Sequence, residues 1–238
     1  MASIKDALDE CKNDTNAKLK YIIFAIPLFI AVYIYTKGDK TTLSFWTFLT
    51  IGVLECLGIM VKCTNNVMNY REKILPTLNP FSLFFNAIRV LIAISPIAVV
   101  TFYISNFLIT KVFTMITVPQ ISQGATYLTY LVSVSIILTV FMLFAKKFSF
   151  KDAFDLKAIS DSCIDVLIQT LWLGIQLAIV NGIFVGLITY LFWLFIGIEN
   201  VIVYYVWCIA TVYNVAVIGN YLGQLNYEAL HQADKKRS

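Results

Sequence analysis

The side chains able to do chemistry in this chain are few, and most stand in apolar surroundings. Glu55, Arg89 and Asp165 are charges set within stretches apolar enough to lie in a membrane, and Gln169 and Gln176 follow Asp165 along one helical face. A charge at the bilayer centre costs about 3 kcal/mol even on a lenient insertion scale, so such residues pair with one another or face a cavity. Glu55 falls six residues inside the end of the second expected span, about 9 Å deep, and Arg89 eight residues inside the third, about 12 Å deep. Consecutive spans are antiparallel neighbours, which predicts an Arg89–Glu55 pair that Asp165, Gln169 and Gln176 join. The plainer alternative has Arg89 snorkelling to the headgroups on its long stem. Asn181, Asn214 and Asn220 add amides inside the expected spans.

Catalytic constellations are missing. His231 is the only histidine and lies in the polar tail, which removes metalloprotease and Ser-His-Asp arrangements from the membrane. Neither a GxxxxGK[ST] phosphate loop nor a GxGxxG fingerprint occurs. An aspartyl-type mechanism would need Glu55 and Asp165 to meet, and neither carries the local signature of one. Cys11, Cys56, Cys63, Cys163 and Cys208 include no CxxC pair, so they read as small apolar residues rather than a disulfide framework or a metal site. The expectation is a protein that is not an enzyme and holds no cofactor or metal.

Two glycine patterns suggest close helix approach. Gly182-Ile-Phe-Val-Gly186 and Gly219-Asn-Tyr-Leu-Gly223 each place small residues one turn apart. They fall in the fifth and sixth expected spans, which predicts packing between those neighbours. Pairing of two copies of the chain is the alternative.

The elements that must position these residues follow from composition. Of 238 residues 59% are hydrophobic and 13% charged, against about 45–50% and about 25% in soluble domains. A fold of this length cannot hide so much apolar surface from water, so lipid must solvate it. The net charge of +4 is not gathered into a basic patch with interleaved aromatics, which argues against nucleic acid as a partner. Six apolar segments are read at 21–36, 43–61, 81–110, 125–145, 164–198 and 201–223. The fold class is therefore all-α, a polytopic transmembrane helix bundle of about six spans. The fifth segment would reach about 52 Å as one helix, so it must protrude, tilt or break near Asn181-Gly182. Asn79-Pro80 is a good helix start, and Phe148 to Cys163 reads as an interfacial amphipathic segment.

Residues 1–20 form an amphipathic N-terminal segment, 21–223 the transmembrane domain and 224–238 a basic tail. The N-terminal segment lacks the small-residue cleavage site of a signal peptide. Ser3 to Asp6 resembles a capping box, so that segment is either a short interfacial helix or a frayed tail. Lys and Arg number 14 on the face that carries both termini and three on the other, which predicts cytoplasmic termini. Splitting the fifth segment into a hairpin would give seven spans and place the basic tail outside. Tyr33, Trp46, Tyr190, Trp193, Tyr204 and Trp207 fall near the opposite ends of the spans, where amphipathic rings sit at the headgroup level. Lys235-Lys236 near the terminus suits either a topological flank in a cell membrane or, in a eukaryote, retrieval to the endoplasmic reticulum. Spans two and three, and again four and five, flank a polar connector that leads into a long helix, as in a duplicated fold.

Three stretches carry a family resemblance. Leu75-Pro-Thr-Leu-Asn-Pro-Phe-Ser-Leu-Phe-Phe-Asn-Ala-Ile-Arg89, Phe148-Ser-Phe-Lys-Asp-Ala-Phe-Asp155 and Gly219-Asn-Tyr-Leu-Gly-Gln-Leu-Asn-Tyr227 resemble motifs of the prokaryotic multi-pass membrane family known as domain of unknown function 4013. The resemblance covers the chain from about residue 50 onward. It implies a bacterial or archaeal membrane protein and brings no catalytic residues with it. The expected function is a scaffold or partner subunit of an envelope assembly, with lipid and a membrane protein or a second copy as partners. The alternative is a small-solute transporter or channel subunit built around the intramembrane polar residues.

Overall fold

The computed structural model describes residues 3–38, 42–115, 118–197 and 200–235, with the side chains of 184, 196 and 226–235 outside that description. Asp39, Lys40, Glu199 and the end of the basic tail, Lys236 to Ser238, lie outside the described residues. Within them every regular element is helical: α1 (Ile4–Asn13), α2 (Ala17–Phe24), α3 (Ile26–Thr36), α4 (Leu43–Met68), α5 (Pro80–Phe107), α6 (Pro119–Lys147), α7 (Phe150–Ala153), α8 (Leu156–Ile196) and α9 (Val201–Lys235). Six helical segments, with α2 and α3 counted together, are long and apolar enough to cross a membrane. The chain is an all-α, multi-pass membrane protein.

Local chemistry explains most boundaries. The Ser3 hydroxyl accepts from the Asp6 amide at 3.3 Å and caps α1. That helix neither frays nor lies apart: it packs on α9 and buries Ala7 and Cys11. Pro27 has no N–H to give and crowds the carbonyl four residues back, so α2 ends at Phe24 and α3 opens with the proline in its first turn. The Asn79 side chain accepts from the Ser82 amide at 3.1 Å, and Pro80 is the first residue of α5. Asp155 caps α8 by accepting from the amides of Lys157 and Ala158, both at 3.1 Å.

Four segments run past their expected bounds: α4, α6, α8 and α9. α4 continues seven residues beyond Val61 because its last turns find partners other than lipid. Asn65 donates from Nδ2 to the Ala145 and Lys146 carbonyls at 2.8 and 3.1 Å, filling acceptors that the end of α6 leaves free. The helix then closes with the Tyr70 amide on the Val67 carbonyl and the Arg71 amide on the Asn66 carbonyl, with Tyr70 at φ 51°. This is a Schellman ending built on a non-glycine residue. α8 is a single unbroken helix of 41 residues, about 61 Å long. The helix runs through Asn181-Gly182 without a break, and the Asn181 side chain donates from Nδ2 to the Leu177 carbonyl of the same helix at 2.8 Å.

α4 is the hub, with α3, α5, α6 and α9 packed around it. The core gathers at the end of the bundle that carries α1: Ile59, Val61 and Cys63 of α4, Phe141 and Phe144 of α6, and Val217, Tyr221 and Leu222 of α9. At the opposite end Phe102, Tyr103, Phe107, Tyr127 and Leu128 are exposed.

Candidate functional site

The expected intramembrane charge cluster is not assembled. Gly58 of α4 seats directly on the Leu83 backbone of α5; a Cβ there would collide with the Leu83 carbonyl oxygen. In an antiparallel pair that register brings Glu55 level with Asn86 and leaves Arg89 a turn further on. Arg89 is exposed, and no ion pair joins it to Glu55 among the described residues. Glu55 is half-buried beside an apolar hollow of about 400 Å³ lined by Ile51, Pro80, Phe81, Phe84 and Phe85. Asp165 is exposed. Gln169 turns the other way: its Oε1 accepts from the Tyr221 hydroxyl of α9 at 3.1 Å. Gln176 keeps a buried Oε1 with no partner. The physical reason is placement, since α8 packs on α6 and α9 and its polar side chains never reach the α4–α5 seam.

The glycines are also redistributed. Gly219 and Gly223 of α9 are packing residues, but against α4. A Cβ on Gly219 would lie 2.5 Å from the Met60 carbonyl oxygen, and one on Gly223 would lie 2.7 Å from Val67 Cβ. The Thr64 hydroxyl uses that closeness to donate across to the Gly219 carbonyl at 2.8 Å. Gly182 and Gly186 of α8 have nothing within 4 Å of the Cβ position. Packing of the fifth span on the sixth through these paired patterns is therefore corrected. What joins α8 to α9 is polar instead: Asn181 and Asn214 exchange amide bonds at 2.8 and 3.3 Å, and Trp207 Nε1 donates to Thr189 Oγ1 at 2.8 Å.

A dense polar arrangement lies where the N-terminal segment, read as a short interfacial helix or a frayed tail, meets the bundle. Asp14, with its side chain 1% exposed, accepts from Lys20 Nζ at 2.7 Å and from the amides of Ile74 and Leu75 at 2.7 and 3.0 Å. One carboxylate thus fastens the N-terminal segment, the first span and the α4–α5 connector together. A second chain of bonds ties α1 to α9. The Ser3 amide donates to Gln224 Oε1, the Gln224 amide to Asn220 Oδ1, and the Asn220 amide to Glu10 Oε2, each at 2.9 Å. The hydroxyls of Tyr21 and Tyr213 donate to the Cys11 and Leu8 carbonyls at 2.9 and 3.2 Å. Burial pushes the Cys11 thiol up to about 12 against the opposing hydrogen bond from Asn220, so this cysteine is an inert packing group. Of these residues the sequence marks Asn220 as a polar group in an apolar run, Ser3 as a helix cap and Cys11 as a small apolar residue. Asp14 and Lys20 read as ordinary solvated charges because nothing local marks their partners.

Among the described residues no three His, Cys, Asp or Glu side chains are grouped to hold a metal. No protein-family profile, curated protein or solved structure matches the chain.

Proposed function

We propose that the chain is a non-enzymatic membrane subunit that holds a partner in an envelope assembly, with both termini in the cytoplasm of a cell membrane. The observation that carries this reading is the bare flank of α8. Its most apolar 18-residue stretch has no buried residue among those described. Gly174, Ala178, Gly182 and Gly186 recur every four residues along it, and no Cβ built on the three glycines meets an atom within 4 Å. Small residues in that pattern let a second helix backbone approach closely in lipid. The orientation rests on the 14-to-3 distribution of Lys and Arg.

Mild-detergent affinity purification tests the role. A membrane protein should co-purify with the native chain and be lost with Gly182→Leu or Gly186→Leu, while the melting temperature of the chain itself stays unchanged. Purification of a lone monomer under native expression would sink the reading. Cys11 and Cys63 are fully buried, so labelling them would report no orientation. Exposed positions do: Ser160→Cys should resist an impermeant reagent added outside cells, and Thr36→Cys should react.

A second reading, a small-solute transporter or channel subunit, draws on a hollow of about 340 Å³ between α6 and α8. Ser135 and Thr170 line it, and the Thr170 hydroxyl has no partner. Solute flux in proteoliposomes that disappears with Thr170→Val would favour it.

A further inference from the structure

The α4–α5 connector walls a cleft of about 260 Å³ beside the first turn of α5. Three cations line it, Lys62, Arg71 and Lys73, and no carboxylate does. None of the three is ion-paired among the described residues; Lys62 only lies over the Phe148 ring, its Nζ 5.2 Å from the centroid. Asp14, which fastens the connector at Ile74 and Leu75, is already saturated by Lys20 and those two amides. Three like charges held on one hollow repel each other unless an anion joins them, and the N-terminus of α5 adds a positive dipole end.

A second observation is independent of charge. Asn66 lines the same cleft and is 5% exposed. Its Nδ2 donates to the Ile74 carbonyl at 2.9 Å, which fixes the amide and leaves Oδ1 buried with no partner. Buried acceptors without a donor are rare in folded proteins and point to a missing group. The missing group must carry anionic oxygens for the cations and a hydroxyl for Asn66.

We infer that this cleft binds a phosphate ester of a polyhydric alcohol, with the phosphate among Lys62, Arg71 and Lys73 and a hydroxyl donated to Asn66 Oδ1. The connector is positioned for that task. The Schellman turn at Tyr70 swings Arg71 back over the end of α4, and the Asp14 bonds hold the strand from Ile74 to Leu75 against the bundle. The cleft opens where the apolar run of α5 begins, at the level expected for lipid headgroups. The apolar hollow beside Phe81, Phe84 and Phe85, on the same two helices, offers acyl chains a place to lie. A glycerol-phosphate lipid headgroup and a free glycerol phosphate share the required chemistry.

Native mass spectrometry of the full chain in detergent separates these sources and tests the site. Phosphatidylglycerol should bind at least tenfold more tightly than phosphatidylcholine, whose quaternary ammonium brings no hydroxyl and cancels the charge. Arg71→Gln combined with Lys73→Gln removes two exposed cations and should abolish that preference without changing the melting temperature. Asn66→Leu should lose discrimination between phosphatidylglycerol and phosphatidic acid, which lacks the second alcohol. Binding of phosphatidylglycerol assigns the site to lipid. Saturable binding of soluble glycerol phosphate, with the same dependence on Arg71 and Lys73, assigns it to a free metabolite. Equal binding of phosphatidylglycerol and phosphatidylcholine by the native chain would overturn the inference, as would a preference untouched by the double variant.

Discussion

The two ends of this bundle are built from the same kinds of residue and behave as opposites. At the end bearing α1, glycines disappear into contacts: Gly58 lies on Leu83, Gly219 on Met60 and Gly223 on Val67, each closer than a Cβ would allow. Along the far half of α8, Gly182 and Gly186 meet nothing. The polar groups differ by face rather than by end. The Asp14 side chain, Asn65 and Asn220 are buried and bonded across two or three elements, whereas Arg89 and Asp165, on helices that start at the same end, are exposed. Small size and polarity therefore do not fix a residue's role here. What fixes it is whether a second helix meets that face.

Breaking the tightly packed end should cost most. Asp14→Ala removes the acceptor of one buried ammonium and two buried amides, and should cost roughly 3–5 kcal/mol. A detergent melt reads the loss. Cys11, inert when folded, should then become open to alkylation as α1 comes away; an unreactive Cys11 in the variant would mean that α1 docks without this carboxylate.

The glycine contrast is the next test. Gly58→Ala or Gly219→Ala forces backbones apart and should cost about 1–3 kcal/mol, as overpacking does. Gly182→Ala should change the stability of the isolated chain by no more than about 0.5 kcal/mol. Equal effects at the two ends would erase the comparison.

The amide pair between α8 and α9 should be worth less. A double-mutant cycle with Asn181→Leu and Asn214→Leu should give a coupling of about 0.6 kcal/mol, the ordinary size for hydrogen bonds between membrane helices. The double variant should lose less than the sum of the two single losses, because each single variant leaves the other amide short of a partner.

The smallest effect should be at the charges that the sequence nominated first. Glu55→Gln and Arg89→Gln should be additive within about 0.3 kcal/mol, since the two lie a turn out of register and Arg89 is exposed. Strong coupling would restore the ion pair and shift the α4–α5 register.

Some of this was legible without a structure. The six apolar runs and the cap at Asn79-Pro80 rest on interactions within one segment and are legible there; the Ser3 cap is one of the two readings that the N-terminal segment leaves open. The sequence ends the second span at Val61 because the next turns are polar, and polarity reads as loop until Asn65 is seen to fill the free carbonyls of α6.

Composition and local chemistry determined that this chain is helical, crosses a membrane about six times and gathers its cations at one end. Those properties belong to single segments: the length of an apolar run, the residue before a proline, the sign of a flank. Which segments meet was decided by the tertiary structure alone. Pairing depends on the register and rotation of two helices, and a shift of one turn separates Glu55 from Arg89 as surely as it seats Gly219 on Met60. The same holds for Asp14, whose partners lie six and about sixty residues away and leave no pattern around it.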